Sequence, residues 1–418
     1  MIELDGTLSE LARYKSGSEP IVSLYLDIRW KDEQQRERVR LFVQERIRQT
    51  LAHYLPESPG RAGLEKNLRR IQEQVNGLLG QEYEENKNGL ALFACDALGL
   101  WQPHFFRRSF ENALTTDAIP HLTQLARLQD DVAPAIVVAP SQEGADIYHV
   151  SLGDLAVEAN LRGFVPRRER DNFNAGGSGR PRAQYERETK EVRHHENYVQ
   201  KNRRAAAAEV TAFYDQHRQA YVVLVGTAET LAAFERELPE RLKERIIARL
   251  PRPRDWESGD GMRRDGIVKG AVKALAEREK LDEHDAIEQV VAQSLRGALG
   301  VLGPSDVVEA LNQGRVHRLV IEECFDGTGW RCENCLAIGA NAESAESCPY
   351  CGGELHAVRD LGEAIVARAL LDGAAVEVVA HANKLHSYRG VGAFLRQTAQ
   401  TGLRGASPPY PSAPGASQ

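Results

Sequence analysis

A chain of 418 residues, 42% hydrophobic and 27% charged, has room for roughly two to four domains, each with a core of its own. Fifty-three Lys and Arg against 60 Asp and Glu give a formal net charge of −7, which excludes a uniformly basic coat and leaves local patches open. Six cysteines are too few for a disulfide scaffold, the N-terminus MIELDGTLSE has no basic region followed by an apolar stretch, and no run approaches roughly 18 apolar residues, so a soluble, cytoplasmic protein with no membrane partner is expected.

The first segment opens with IVSLYLDI (Ile21 to Ile28), whose β-branched and aromatic residues predict a strand. Val39, Phe42, Val43, Ile47 and Leu51 then recur at three and four residues, the stripe of an amphipathic helix, and a second helix is expected near Leu64 to Leu79. NGLALFAC and LWQPHFF read as a β-pair, and AIPHLTQLARLQD closes the segment near residue 131. A second unit starts with the strand PAIVVAP, continues in a hairpin turning at Gly153-Asp154, and then runs through NFNAGGSGRPR (Asn172 to Arg182), whose Gly and Pro residues predict an exposed loop. A long helix from about Gln184 to His217, the strand YVVLVG and a helix after Thr227 complete an α/β unit ending in PRPRDWESGDG. The third unit has a long helix or helix pair (Ile267 to Leu299), a helix at Ser305 to Asn312, the strand VHRLVIEE, a cysteine-containing interruption, the helix LGEAIVARALLDG and the strand AAVEVVA. The alternation predicts an α/β protein of three domains, 1–131, 132–264 and 265–405, with a tail at 406–418 too poor in apolar residues to fold.

Two segments carry chemistry. Cys332 and Cys335, then Cys348 and Cys351 followed by two glycines, form two Cys-x-x-Cys knuckles twelve residues apart, a spacing that lets four thiolates meet around one tetrahedral Zn²⁺. A structural zinc ribbon at about 324–355 is expected, with a redox pair or metal-free thiols as the other readings; four cysteine ligands leave no open position for catalysis. Cys95 and Cys324 lie in strand-like surroundings and are expected to be buried packing residues.

Between Arg162 and Arg204 stand twelve basic residues against six acidic ones, a local charge of +6 that leaves −13 for the rest of the chain. Within it, Arg167, Arg168, Arg170, Arg180, Arg182 and Arg187 flank a glycine-rich loop, a pattern suited to phosphate contact: missing side chains admit the backbone and guanidinium groups pair with phosphate oxygens. The other reading is a solvated helix with pairs such as Glu186-Lys190. His194 and His195 point about 100° apart on a helix and are expected on its solvated face rather than around a metal.

The three units together resemble the archaeal and eukaryotic class I peptide release factors and their bacterial relatives, up to about residue 397. ALNQGRVHRLVIEE, the inserted Cys-x-x-Cys element and GAAVEVVAHANKLHSYRGVGAFLR follow the order of that family's last domain; IVSLYLDI and NGLALFAC resemble its first, and PAIVVAP, the Gly-Gly loop and YERETKEV its middle one. The resemblance implies a Y- or tRNA-shaped arrangement, binding in the ribosomal A site against rRNA and the tRNA acceptor end, and contact of the last domain with a translational GTPase. It also implies a Gly-Gly-Gln loop that helps hydrolyse the peptidyl-tRNA ester, since glycines permit the backbone path and a neutral amide serves the developing oxyanion. Gly176 and Gly177 match, but the Gln position holds Ser178 when counted from the glycines and Arg180 when counted back from Tyr185; Gln184 is the glutamine at hand for a catalytic role. The family's Asn-Ile-Lys-Ser and Tyr-x-Cys-x-x-x-Phe codon-reading elements do not occur in residues 1–131. Three functions are therefore carried forward: release or rescue by peptidyl-tRNA hydrolysis through a variant loop, occupation of an idle ribosome in hibernation, and tRNA or RNA binding away from the ribosome.

Overall fold

A computed structural model describes residues 4–30, 33–55, 57–82, 84, 87–131, 134–151, 154–162, 182–218, 220–252, 260–341, 347–380 and 384–396, with side chains at all of these except 4–5, 130–131, 151, 154–162, 182–194, 260–265 and 268. The expected loop at 172–181 and the tail at 406–418 lie outside the described residues. Among the described residues, helices and strands form a mixed α/β protein with four sheets.

The first sheet has the order β3-β2-β1-β4, from β1 (Ile21–Asp27), β2 (Gly89–Cys95), β3 (Leu100–Phe106) and β4 (Ala113–Asp117), all antiparallel. β1 and β2 are buried on both faces, which explains apolar runs without alternation. Val22, Leu24, Leu90 and Leu92 point to α2 (Glu33–His53) and α3 (Arg61–Leu79), where the predicted stripe residues Val39 and Val43 are buried. Tyr25, Ala91, Phe93 and Cys95 point the other way, to α1 (Leu4–Leu11) and α4 (Thr123–Asp131). Neither α1 nor β4 is legible in the sequence; ALTTD is mostly half-buried and carries no apolar run.

The second sheet runs β7-β6-β5-β8-β9, from β5 (Ala135–Pro140), β6 (Gly144–Ser151), β7 (Asp154–Arg162), β8 (Tyr221–Val225) and β9 (Ile246–Leu250). β6 and β7 form the expected hairpin, with Ser151 opposite Asp154, and β5, β8 and β9 are parallel. One face is covered by α5 (Arg182–Gln216), α6 (Ala228–Glu235) and α7 (Glu240–Lys243). Thr227 caps α6 by accepting the Thr230 N–H at 3.3 Å.

The other face meets α8 (Asp260–Leu295), one helix of 36 residues and therefore about 54 Å long. Its first half buries Ile267, Ala271 and Ala274 against this sheet. Its second half buries Ile287, Val290 and Val291 against the third sheet. That sheet has the order β10-β16-β11-β15, from β10 (Gly300–Leu302), β11 (Val316–Glu322), β15 (Ala375–Val379) and β16 (Val391–Leu395), with α9 (Pro304–Asn312) and α10 (Leu361–Leu371) on its opposite face. Between β11 and α10 the chain builds a small sheet of β12 (Gly329–Cys332), β13 (Ile338–Gly339) and β14 (Leu355–Val358), the predicted ribbon.

α10 is buried on all sides from Leu361 to Ala369, the condition of a helix that is apolar all round. It packs on the third sheet and also on α1 and α4, so the first and third sheets share one core that runs from Leu8 to Leu395. One expectation fails: Cys95 is buried in β2, but Cys324 is exposed, because β11 ends at Glu322 and Cys324 stands in the turn that follows. Among the described residues, no helix is long and apolar enough to cross a membrane.

Candidate functional site

The ribbon brings together the four cysteines that spacing singled out. Cys332 closes β12, Cys335 lies in the turn after it, and Cys348 and Cys351 lie in the second knuckle before β14. The Cys332 and Cys351 sulfurs are 3.5 Å apart, as are those of Cys335 and Cys348, and all four lie within 4.8 Å of one another. Metal–sulfur bonds of about 2.3 Å in a tetrahedron put sulfurs about 3.8 Å apart, so the donor set fits a metal ion of that preference.

The backbone is shaped to the sulfurs. The Cys335 N–H donates to Cys332 Sγ at 3.5 Å, and Cys348 N–H donates to the Gly353 carbonyl at 2.9 Å. Gly352 has φ of +71°, and a Cβ on Gly353 would stand 3.2 Å from Cys332 Sγ and 3.3 Å from Cys351 Sγ, tighter than ordinary contact. Burial pushes the Cys335 thiol up, while the Gly353 N–H holds the Cys351 thiol well below its usual range. These residues could hold a metal ion.

The ribbon is pinned from two directions. On the side of the third sheet, Asn312 donates to the Ile338 carbonyl at 2.7 Å and accepts the Ile338 N–H at 3.0 Å, and Tyr350 donates to Glu309 at 2.6 Å. From the first unit, Lys15 Nζ donates to the Glu333 carbonyl.

The loop residues stand differently. Gly176, Gly177, Arg167, Arg168, Arg170 and Arg180 lie outside the described residues. Arg182 opens α5, and Gln184 and Arg187 follow within its first two turns, but their side chains are outside the described set. Further along α5, no side chain from His195 to Ala205 is buried, and packing on the sheet begins at Ala206. His195 is half-buried and joins no metal-ligating group among the described residues.

A polar cluster that spacing did not reveal joins the first and third units. Glu363 of α10 accepts backbone N–H groups from Leu122 at 2.6 Å and Thr123 at 3.1 Å, which caps α4. His121 lies between Asp117, with Nε2 3.5 Å from Oδ2, and Glu363, with Nδ1 3.8 Å from Oε1. Burial alone would lower the His121 pKa; the Asp117 hydrogen bond and the Glu363 and Asp117 charges more than offset it and lift it to about 9. Tyr25 donates its hydroxyl to the His121 carbonyl at 2.6 Å.

Residues 120–259, spanning α4, the whole second sheet and α5 to α7, match the sequence model of bacterial archaeo-eukaryotic release factor family 10. The match covers a third of the chain and carries the likeness to release factors in the middle of the sequence. No curated protein matches it. Among solved structures, it is similar to the archaeal translation termination factor aRF1, with 18% identity over 94% of this chain and 97% of that one and a TM-score of 0.23. It is also similar to Archaeoglobus fulgidus Pelota, with 15% identity over 75% and 81% and a TM-score of 0.30. A model of ribosome-bound archaeal Pelota and ABCE1 matches at 14% identity over 94% of both chains, with a TM-score of 0.37.

Proposed function

We propose that this release-factor-like protein is a translation factor that binds the ribosomal A site, with the segment between Arg162 and Arg204 turned to rRNA and the tRNA acceptor end. The observation that carries the reading is α5 itself. It lies inside the matched family span, starts directly after the Gly-Gly segment, and bears Lys201, Arg203 and Arg204 on a stretch that buries no side chain. A helix segment that contributes nothing to the core and carries positive charge is suited to a phosphate backbone.

On that surface, Gly176, Gly177 and Gln184 are the residues proposed to place water against the peptidyl-tRNA ester, with Arg167, Arg168, Arg170, Arg180, Arg182 and Arg187 holding RNA phosphates. The residue after Gly177 is Ser178 rather than Gln, and this favours a second reading in which the protein occupies an idle ribosome without hydrolysis. A translational GTPase is the proposed partner of the last unit, and the division at 131 and 264 is the proposed domain plan. We further propose that the four cysteines bind one structural Zn²⁺; when bound, the metal supplies cross-linking of the two knuckles and no open position for a substrate.

Purified protein added to ribosomes carrying peptidyl-tRNA tests the reading. Release of peptide that falls on Gly176→Ala, Gly177→Ala and Gln184→Ala supports hydrolysis; cosedimentation with vacant ribosomes without release supports occupancy. Binding to isolated tRNA but to no ribosome would reject both.

A further inference from the structure

A cleft of about 530 Å³ opens between α2 and β4 of the first unit and the ribbon strand β14 with the turn that follows it. Its volume lies in the range of roughly 300–1,000 Å³ typical of small-molecule sites. The walls are polar, and their charges are unevenly committed. Asp117 is engaged by His121 and by the Ala118 N–H at 2.6 Å, and Asp360 accepts the Glu363 N–H at 3.1 Å as the cap of α10. The cations differ. Arg46 on α2 hydrogen-bonds the Gln49 amide oxygen at 3.3 Å and lies over the Phe42 ring; the neighbouring Glu45 carboxylate feels its charge but hydrogen-bonds to Arg48 and Gln49. Arg359, on the opposite wall, is exposed and has no ion pair among the described residues.

One further group lines the cleft beside Arg46: His53 donates Nδ1 to the Gln49 carbonyl at 2.7 Å, which leaves Nε2 open on the exposed side of α2.

We propose that this cleft binds a phosphate ester between Arg46 and Arg359. Two guanidinium groups that line one cleft and hydrogen-bond to no carboxylate among the described residues match phosphate oxygens in charge and in donor chemistry. The ester belongs either to a free nucleotide or to the phosphorylated end of an RNA.

Calorimetric titration of the full chain with ATP, GTP, inorganic phosphate and a short 5′-phosphorylated oligoribonucleotide tests this without any ribosome, so its failure leaves the A-site reading untouched. Saturable binding that weakens at least tenfold in both Arg46→Gln and Arg359→Gln, and is unchanged in Arg249→Gln, is the expected result. Both arginines are exposed, so the variants should melt at the wild-type temperature. Competition between nucleotide and oligonucleotide then identifies the source. No saturable binding by any of the four probes, or equal binding by the two cleft variants, would overturn the proposal.

Discussion

The Glu363 carboxylate, fixed on α10, closes the first turn of α4 by accepting the Leu122 N–H at 2.6 Å across 241 residues of chain. Glu363 is itself at the start of α10, held by Asp360. One side chain thus joins the N-termini of two helices from opposite ends of the sequence, with partial positive charge on both sides of a buried carboxylate.

Removing that carboxylate should be costly. Glu363→Ala leaves the Leu122 and Thr123 amides buried without an acceptor and strips His121 of a counter-charge, an expected loss of about 3–5 kcal/mol. Glu363→Gln keeps an acceptor and should cost less. Urea unfolding followed by the fluorescence of the four tryptophans checks the order; equal, negligible losses would show that the contact is ornamental.

The imidazole beside it predicts a pH dependence. His121 has a folded pKa of about 9, above its unfolded value of about 6.5. Its contribution is therefore complete below about pH 6.5 and is lost as pH rises through about 9. The stability gap between wild type and His121→Gln should be about 1–3 kcal/mol at pH 6 and should shrink above pH 9. A gap that stays constant across this range would assign His121 a packing role instead.

Glu377 on β15 carries the opposite liability. It is 3% exposed, and burial pushes its carboxyl up to about 7, against the pull of Arg318 and with the added push of Glu279 and Glu283 on α8. The folded state keeps a proton that the unfolded chain gives up near pH 4.5, so stability falls as pH rises from there to about 7. Glu377→Gln should stabilise the protein above pH 7 by about 1–3 kcal/mol and do little at pH 4. Differential scanning calorimetry at the two pH values decides it.

The ribbon should carry one zinc ion per chain. Cys348→Ser should lower the metal content measured by plasma mass spectrometry and free the remaining thiols for alkylation. Since Asn312 and Lys15 grip the ribbon from two units, metal removal should also raise hydrogen exchange in β12 to β14 while leaving β5 and β8 protected. A full metal content in the variant would contradict the four-sulfur site.

What could be read from sequence follows the range of the interactions. Strands buried on both faces, such as IVSLYLD, and the stripe of Val39 and Val43 announce themselves locally, as does the Cys spacing. Strands without an apolar run do not: β10 has three residues, and IIARL of β9 and ALTTD of β4 are largely half-buried, unlike the equally short YVVLV of β8. The release-factor resemblance agrees with the family match over residues 120–259, whereas Cys324 went wrong because a strand-like neighbourhood says nothing of where the strand stops. His121 and Glu363 were invisible for a different reason. Each is ordinary in its own segment, and their meaning arises only when α10 reaches α4. The one hint was α10 itself: LGEAIVARALL has too little polar surface for a helix covered on one side.

The shared core has a consequence for biosynthesis. Tyr25, Phe93 and Leu125 form an apolar face early in the chain, but Ile365, Val391 and Leu395, which complete that core, are translated only after the whole second unit. At ~5–20 residues per second, the nascent N-terminal unit waits on the order of tens of seconds for its cover. During that interval its greasy side is open to chaperones and to neighbouring chains, and the unit settles only once α10 and β16 have been made.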